Sequence, residues 1–414
     1  MIHKTYLILV SIFFIFIHIG NTQSNYLVEI GNTETIKSTV LNEDRTYYVQ
    51  LPQNFNENKK YPVVYVLDGG VLLNAVHIVH DYYYGGYMPE MIIIGVANAK
   101  NRTRDLTTSK ITERHGLPYN EQNGEADVFS DFLINELIPH IESNYPVTKY
   151  RSIIGHSYGG LFAANMLVNY TDVFENYLLI DPSLDWDNQR LLKDFELELS
   201  KRKFEGKNVY SSLSGQLHMQ KKEITIENVM EDTSEYTLFA RSNIGFYNLV
   251  KSQETSGLDM NWKYYKNDLH GTVPLPSILD GLKYFFEWYQ IENPELFNSP
   301  DTPIEDLVAL IRKREQKLKK YFGYCVAPFE QDLFNMLGYM NLEMGQPNKS
   351  LTFFNLNIEY YPESANAYDS LADYYMSQND VENALKNVNL AFDISGDTKY
   401  KKRIEEINIK KIKH

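Results

Sequence analysis

Two continuous apolar runs constrain this chain more than any other feature. They are 61–67 (YPVVYVL) and 91–96 (MIIIGV). Each has strand length and no polar face to show to water, which is how strands of a parallel sheet read when helices cover both faces. Shorter strand segments follow at 151–155, 177–180, 209–213 and 261–265, and 26–50 reads as short leading strands. Between them, 128–145 places Phe129, Phe132, Leu133, Leu137, Ile138 and Ile141 at helical spacing, and 160–169, 236–251 and 278–289 also read as helices. Strands alternating with helices predict an α/β fold, a mostly parallel sheet flanked by helices on both faces.

The alternation ends at 293–303, a stretch with Pro294, Pro300 and Pro303 that reads as a linker. Beyond it the pattern is helical only. A charged amphipathic helix is expected over 306–322, and then one pattern occurs twice. Leu337-Gly338 matches Leu371-Ala372, Ser350 matches Ala384, and Pro328 matches Pro362, each pair 34 residues apart. That is the period of tetratricopeptide helical hairpins, in which small residues let paired helices approach closely. Residues 400–414 read as a basic capping helix or a frayed tail. With 414 residues, and roughly 100–200 per domain, two or three units are expected. The division predicted is 1–24 signal peptide, 25–292 α/β domain, 293–305 linker and 306–414 tetratricopeptide-like all-α module.

The first segment rests on a short basic start and an apolar run over 6–19. That length suits a secretory signal and falls short of the roughly 20 residues of a membrane span. No cysteine follows the run, so no lipoprotein anchor is expected, and no stable membrane span should remain after signal removal. Cys325 is the single cysteine, which excludes an internal disulfide and a cysteine metal site. It is expected to be a small buried hydrophobe. Export without disulfides points to a bacterial periplasm or exterior. A net charge of −14 repels phosphate backbones and argues against nucleic acid as a partner.

The chemistry is concentrated at Gly155-His156-Ser157-Tyr158-Gly159-Gly160. This Gly-x-Ser-x-Gly pattern lies between an expected strand and an expected helix. A turn that tight forces strained dihedrals on Ser157 and leaves no room for flanking side chains, so the serine hydroxyl stands exposed as a nucleophile. The Tyr158 amide, at the helix start, can face a developing oxyanion. A serine needs a base. His270 follows the last expected strand and lies 113 residues after Ser157. His156 adjoins the serine, but neighbouring side chains diverge at such a bend, so it is expected to line the pocket or pack beneath it.

The acid is the least determined member. Hydrolases of this motif run nucleophile, acid, histidine, and the strand at 209–213 is followed by Ser214-Gly215-Gln216, with no carboxylate. Asp232 is the first acidic candidate before the next helix. Asp181, one strand earlier, is the alternative; Asp187 and Asp268 follow, and a Ser–His dyad with no acid also stays open. For the second oxyanion donor the turn Asp68-Gly69-Gly70-Val71 offers Gly70 first, then Gly69 and Val71.

The segments 61–70, 94–107, 132–145, 151–162, 180–188 and 262–282 together resemble an esterase family of α/β-hydrolases. It includes siderophore (enterobactin-type), feruloyl and acetyl-xylan esterases and S-formylglutathione hydrolases. The resemblance covers nearly all of 27–292. It implies the α/β-hydrolase fold, Ser157 as nucleophile, His270 as general base and acid, and cofactor-free hydrolysis of small-molecule esters, with no metal. The chain departs from the family at 216–219, where many members carry the acid.

The function expected is therefore an exported serine hydrolase of carboxylic esters: a siderophore, a feruloyl or acetyl ester of a carbohydrate, or another small ester. Acyl transfer on the same scaffold is one alternative. A non-catalytic module that recruits a protein partner through its helical repeats is the other. Around the site, Arg102 and Arg104 are read as holding their loop by pairing with Asp105 and nearby carboxylates, with binding of an anionic group of a substrate as the alternative. The tyrosine cluster at 82–87 reads as packing or a stacking surface. His77 and His80 share a helix face without a third ligand.

Overall fold

The computed structural model describes residues 31–114, 116–218 and 221–413. The expected signal segment 1–24 lies outside the described residues. Eight strands form one sheet: β1 (Asn32–Ser38), β2 (Glu43–Gln50), β3 (Tyr61–Leu67), β4 (Ile92–Val96), β5 (Val147–His156), β6 (Asn176–Ile180), β7 (Asn208–Ser214) and β8 (Asp259–Tyr265). Their spatial order is β1-β2-β4-β3-β5-β6-β7-β8. β1 and β2 pair antiparallel, β2 meets β4 antiparallel, and every pairing from β4 to β8 is parallel.

Tyr61–Leu67 is buried at all seven positions. Its alternate residues feed two cores, one on each face of the sheet. Tyr61, Val63, Tyr65 and Leu67 join Phe129, Phe132, Leu161 and Phe162, whereas Val64 and Val66 join Leu72, Leu73, Ile278 and Leu282. The apolar runs are continuous because helices cover both sides.

The helices of this part are α1 (Gly69–Tyr83), α2 (Arg102–Leu106), α3 (Ala126–Phe132), α4 (Ile138–Asn144), α5 (Tyr158–Asn169), α6 (Trp186–Leu199), α7 (Leu238–Ser252) and α8 (Pro274–Phe285). The single helix expected over 128–145 is three pieces, with a π-helical turn, Leu133–Leu137, between α3 and α4. That turn presents Glu136 to the amides of Thr39 and Val40 at 2.8 and 3.1 Å, anchoring the β1–β2 hairpin. α6 has no counterpart in the sequence reading. Its mean hydropathy is low, and its first turn bends through three left-handed residues, Asp187, Asn188 and Gln189.

The remainder is helical: α9 (Ile304–Phe322), α10 (Gln331–Glu343), α11 (Pro347–Tyr360), α12 (Ala365–Ser377), α13 (Val381–Ser395) and α14 (Thr398–Lys413). α10 and α12 begin 34 residues apart, as do α11 and α13. The shared small positions sit where helices touch. A β-carbon on Gly338 would fall 2.6 Å from the Phe354 ring, and Ala372 and Ala384 are fully buried. The proline-rich stretch is packed rather than free. Phe297 is buried, and Asn298 accepts from Gln346. Cys325 is exposed, contrary to expectation, because the turn after α9 carries it to the surface.

α9 joins the two parts. Leu318 and Phe322 share a core with Tyr150 and Phe286, Trp288 stacks on Tyr321 at 3.7 Å, and Lys59 pairs with Glu330 at 2.8 Å. Lys59 and Lys60 precede β3, and Tyr150 lies early in β5, so the helical part abuts the edge where the parallel strands begin.

Candidate active site

Everything chemically notable gathers at the other edge, where β3, β5 and β6 end. Each of these strands is followed by a non-glycine residue in the left-handed region: Asp68 at φ 53°, Ser157 at φ 58° and Asp181 at φ 43°. Such residues cost about 1–3 kcal/mol each and persist only where the surroundings impose them.

The imposing contacts at Ser157 are specific. Its amide donates to Ile180 O (3.0 Å), and its carbonyl accepts from the amides of Leu161 and Ser183 (3.0 Å each). A β-carbon on Gly155 would lie 2.1 Å from Gly159 O, and one on Gly160 would lie 2.7 Å from Pro182 Cβ. At Gly159 the same test gives only ordinary contacts, the nearest at 3.5 Å. The motif therefore needs its first glycine for the turn, and the glycine after the motif for packing against the β6 loop. Tyr158 then opens α5, where its amide has no carbonyl four residues back within the helix.

His270 lies in the loop after β8, with its amide donating to Gln216 Oε1 at 2.6 Å. Its Nδ1 lies 2.7 Å from Asp181 Oδ2. Asp181 is fully buried, and its Oδ1 accepts from the Ser214 amide at 2.9 Å. The expected acid, Asp232, is not there. Its Oδ1 accepts from the Ser234 amide and hydroxyl and from the Thr237 hydroxyl, and those bonds, the Ser234 hydroxyl foremost, hold the carboxyl at about 2. Asp232 thus caps the entry to α7, and the residue facing the histidine is Asp181. Asp187 and Asp268 do not face His270 either: Asp187 lies near Arg190, and Asp268 binds Thr272.

Among the described residues no hydrogen bond joins Ser157 to His270. The Ser157 hydroxyl instead meets the Ser183 hydroxyl at 3.2 Å. Ser157 and His270 both line one open cleft. It has two lobes, of about 420 and 540 Å³, that meet at Ser157 and His270. Ser183 carried no signal in the sequence, since it touches Ser157 only through the fold.

The first lobe is bounded by Asp68, Gly70 and Arg102. A β-carbon on Gly69 would strike Gly95 at 2.5 Å, so Gly69 serves close packing of α1 on β4. The Val71 amide is taken by Asp68 O at 2.8 Å. Gly70 borders the cleft and lies in the first turn of α1, which leaves its amide as the available donor. Arg102 clamps Asp68 through Nε (3.0 Å to each carboxylate oxygen) and donates to His156 O at 3.0 Å. Arg104 instead binds Asp105 and Glu43. The second lobe has Arg114, Tyr158, Gln216, Tyr236 and Phe239. The Tyr158 ring lies between two guanidinium groups, Arg102 at 5.3 Å and Arg114 at 5.7 Å, and Arg114 also pairs with Asp185 at 3.2 Å.

Two sequence candidates lie elsewhere. Tyr82, in the last turn of α1, and Tyr87, just past it, are exposed, and the adjoining Gly85 and Gly86 line a cavity against the helical part, so the cluster is not beside Ser157. His80 is buried and its Nε2 accepts from the Met91 amide at 3.0 Å.

Residues 38–231 match the sequence family described as "Putative esterase". Ferri-bacillibactin esterase BesA of Bacillus subtilis is 32% identical over 221 residues, covering 49% of this chain and 76% of that protein. The siderophore triacetylfusarinine C esterase of Aspergillus fumigatus is 29% identical over 147 residues, and the match spans 48% of its length. The crystal structure of an IroE-like serine hydrolase from Shewanella oneidensis superposes with a TM-score of 0.64 at 25% identity, covering 80% of this chain and 99% of that one. A Capnocytophaga ochracea protein shares the fold over 91% of this chain and 99% of its own, with a TM-score of 0.58 at 21% identity. On the strength of this relationship and this sheet, the chain is an esterase of the α/β-hydrolase fold and belongs to the family described by that esterase model.

Proposed function

We propose that the protein is an exported serine esterase that cleaves the ester bonds of a siderophore. One observation carries the mechanism: His270 Nδ1 is held 2.7 Å from a fully buried carboxylate, Asp181, at the cleft that also holds the strained Ser157. With Nδ1 occupied, Nε2 is the nitrogen left to accept a proton. Ser157 Oγ turns from Ser183 toward His270, gives up its proton and attacks the ester carbonyl. The amides of Tyr158 and Gly70 hold the tetrahedral oxyanion, each such donor being worth about 3–4 kcal/mol. His270 then protonates the leaving alcohol, and water activated by the same ring releases the acid. The step needs no cofactor and no metal.

The substrate class rests on the relatives, which are named for bacillibactin, triacetylfusarinine C and enterobactin. The two-lobed cleft supports it, because an ester in the middle of a large molecule needs room on both sides of the serine. Export rests on the 1–24 segment, and no described helix is long and apolar enough to cross a membrane. The 34-residue register of α10–α13 supports a tetratricopeptide reading of 306–414, with a protein partner as its ligand.

The test is an ester panel of bacillibactin, enterobactin, triacetylfusarinine C, a feruloyl ester and an acetylated sugar, run on wild type and Ser157→Ala. A siderophore should be the best substrate, and Ser157→Ala should abolish turnover and fluorophosphonate labelling while leaving the melting temperature unchanged. Full turnover by Ser157→Ala would remove the serine assignment. Faster cleavage of the feruloyl or sugar ester would remove the siderophore assignment.

A further inference from the structure

His156 has no part in the mechanism above, yet it is kept in a costly state. It ends β5, and its Nε2 is buried without a hydrogen-bond partner. Orphaned buried nitrogens are rare and call for a reason. Burial first, and neighbouring His270 second, push its imidazole down to about 4, so the ring is neutral at neutral pH. The other charged groups that bear on it are Asp181, which favours protonation, and Arg102, which opposes it.

The ring lies against His270, with centroids 4.5 Å apart and planes tilted by 40°. A second ring, Phe239 from α7, meets His270 edge-on at 5.6 Å and 84°. With Asp181 on Nδ1, three groups from different segments meet one imidazole, and Gln216 holds the backbone amide of the loop that carries it.

Resting on the assignment of His270 as the base, we infer that His156 and Phe239 are positioning residues: a two-ring clamp that keeps the His270 imidazole on Asp181 while it gains and loses its proton. The clamp must be neutral on the His156 side. During acyl transfer His270 becomes an imidazolium, which an aromatic face attracts and a second cation would repel. A half-buried histidine held in its neutral form, its Nε2 shut off from water, meets that requirement. Without the clamp the base would swing in its half-open cleft, and small misplacements of reacting groups are expensive in rate.

The experiment follows p-nitrophenyl acetate hydrolysis from about pH 5 to 9 in wild type, His156→Ala, His156→Phe and Phe239→Leu, with melting temperatures alongside. His156→Ala should lower kcat by about tenfold to a hundredfold with KM within about threefold, and should displace the acid limb of kcat/KM, which reports the base. His156→Phe restores the ring and should recover at least about a third of wild-type kcat. Wild-type kcat and an unmoved acid limb in folded His156→Ala would overturn the clamp. So would a folded His156→Phe no better than His156→Ala, because the nitrogen and not the ring would then be what matters. Should His156→Ala fail to fold, Phe239→Leu gives the same decision by the same two readouts. Loss of the serine mechanism would be seen separately, as turnover surviving in Ser157→Ala.

Discussion

Asp181→Asn is the sharpest perturbation the site offers. The amide is isosteric with the carboxylate, so the Ser214 contact through Oδ1 can persist. Two things are lost. The first is the attraction between Asp181 and the His270 imidazolium in the transition state. For charges about 4 Å apart at an effective dielectric of about 20, that is about 4 kcal/mol, or about a thousandfold in rate. The second is the tautomer: an Asn NH2 facing Nδ1 favours the form with the proton on Nε2, which cannot accept from Ser157. Together these predict a kcat lower by about a thousandfold to ten-thousandfold, in line with what this exchange does in serine triads generally. The assay is p-nitrophenyl acetate turnover on protein shown to be folded by its melting curve, with Asp232→Asn as the comparison. Asp232→Asn should keep kcat within about twofold, since its carboxylate serves Ser234 and Thr237 and not the histidine. An Asp181→Asn enzyme retaining a tenth of wild-type kcat, or an Asp232→Asn enzyme that loses activity while folded, would refute the reasoning.

Gly155→Ala places a β-carbon 2.1 Å from the Gly159 carbonyl, so soluble yield or activity should fall by about a hundredfold or more, whereas Gly159→Ala should be far milder. His80 is lowered from 6.5 to about 4 by burial, so the unfolded chain binds more protons between those values. Stability is therefore lost as pH falls from 6.5 toward 4, by up to about 3 kcal/mol, and His80→Gln should flatten that slope in melts at graded pH. Leu318→Ala removes a side chain only 2% exposed at the junction of the two parts, and denaturant titration should show a loss of about 2–5 kcal/mol.

The strained serine turn was legible because its constraint is local. Gly155 and Ser157 must occupy one turn, and the turn advertises itself in five consecutive letters. β3 was legible for a similar reason, since burial on both faces leaves an unbroken apolar string. The acid was not. Asp181 and Asp232 both follow strands or precede helices, and sequence order favoured the later one. What decides between them is that Asp181 turns left-handed at the end of β6 and reaches across to the end of β7, a neighbour in space and not in sequence. Ser183 and Arg114 were hidden for the same reason. α6 was missed because its charged face and left-handed first turn blur the helical period. Cys325 was misplaced because a hydrophobe's preference for the interior yields when a turn follows a helix end.

The helical part grips the edge where the strands start, and the cleft lined by Ser157 and His270 opens where they finish. A tether made through the repeats would leave the mouth facing away from its anchor, so a bulky ligand could approach and its fragments depart without passing the tethering partner.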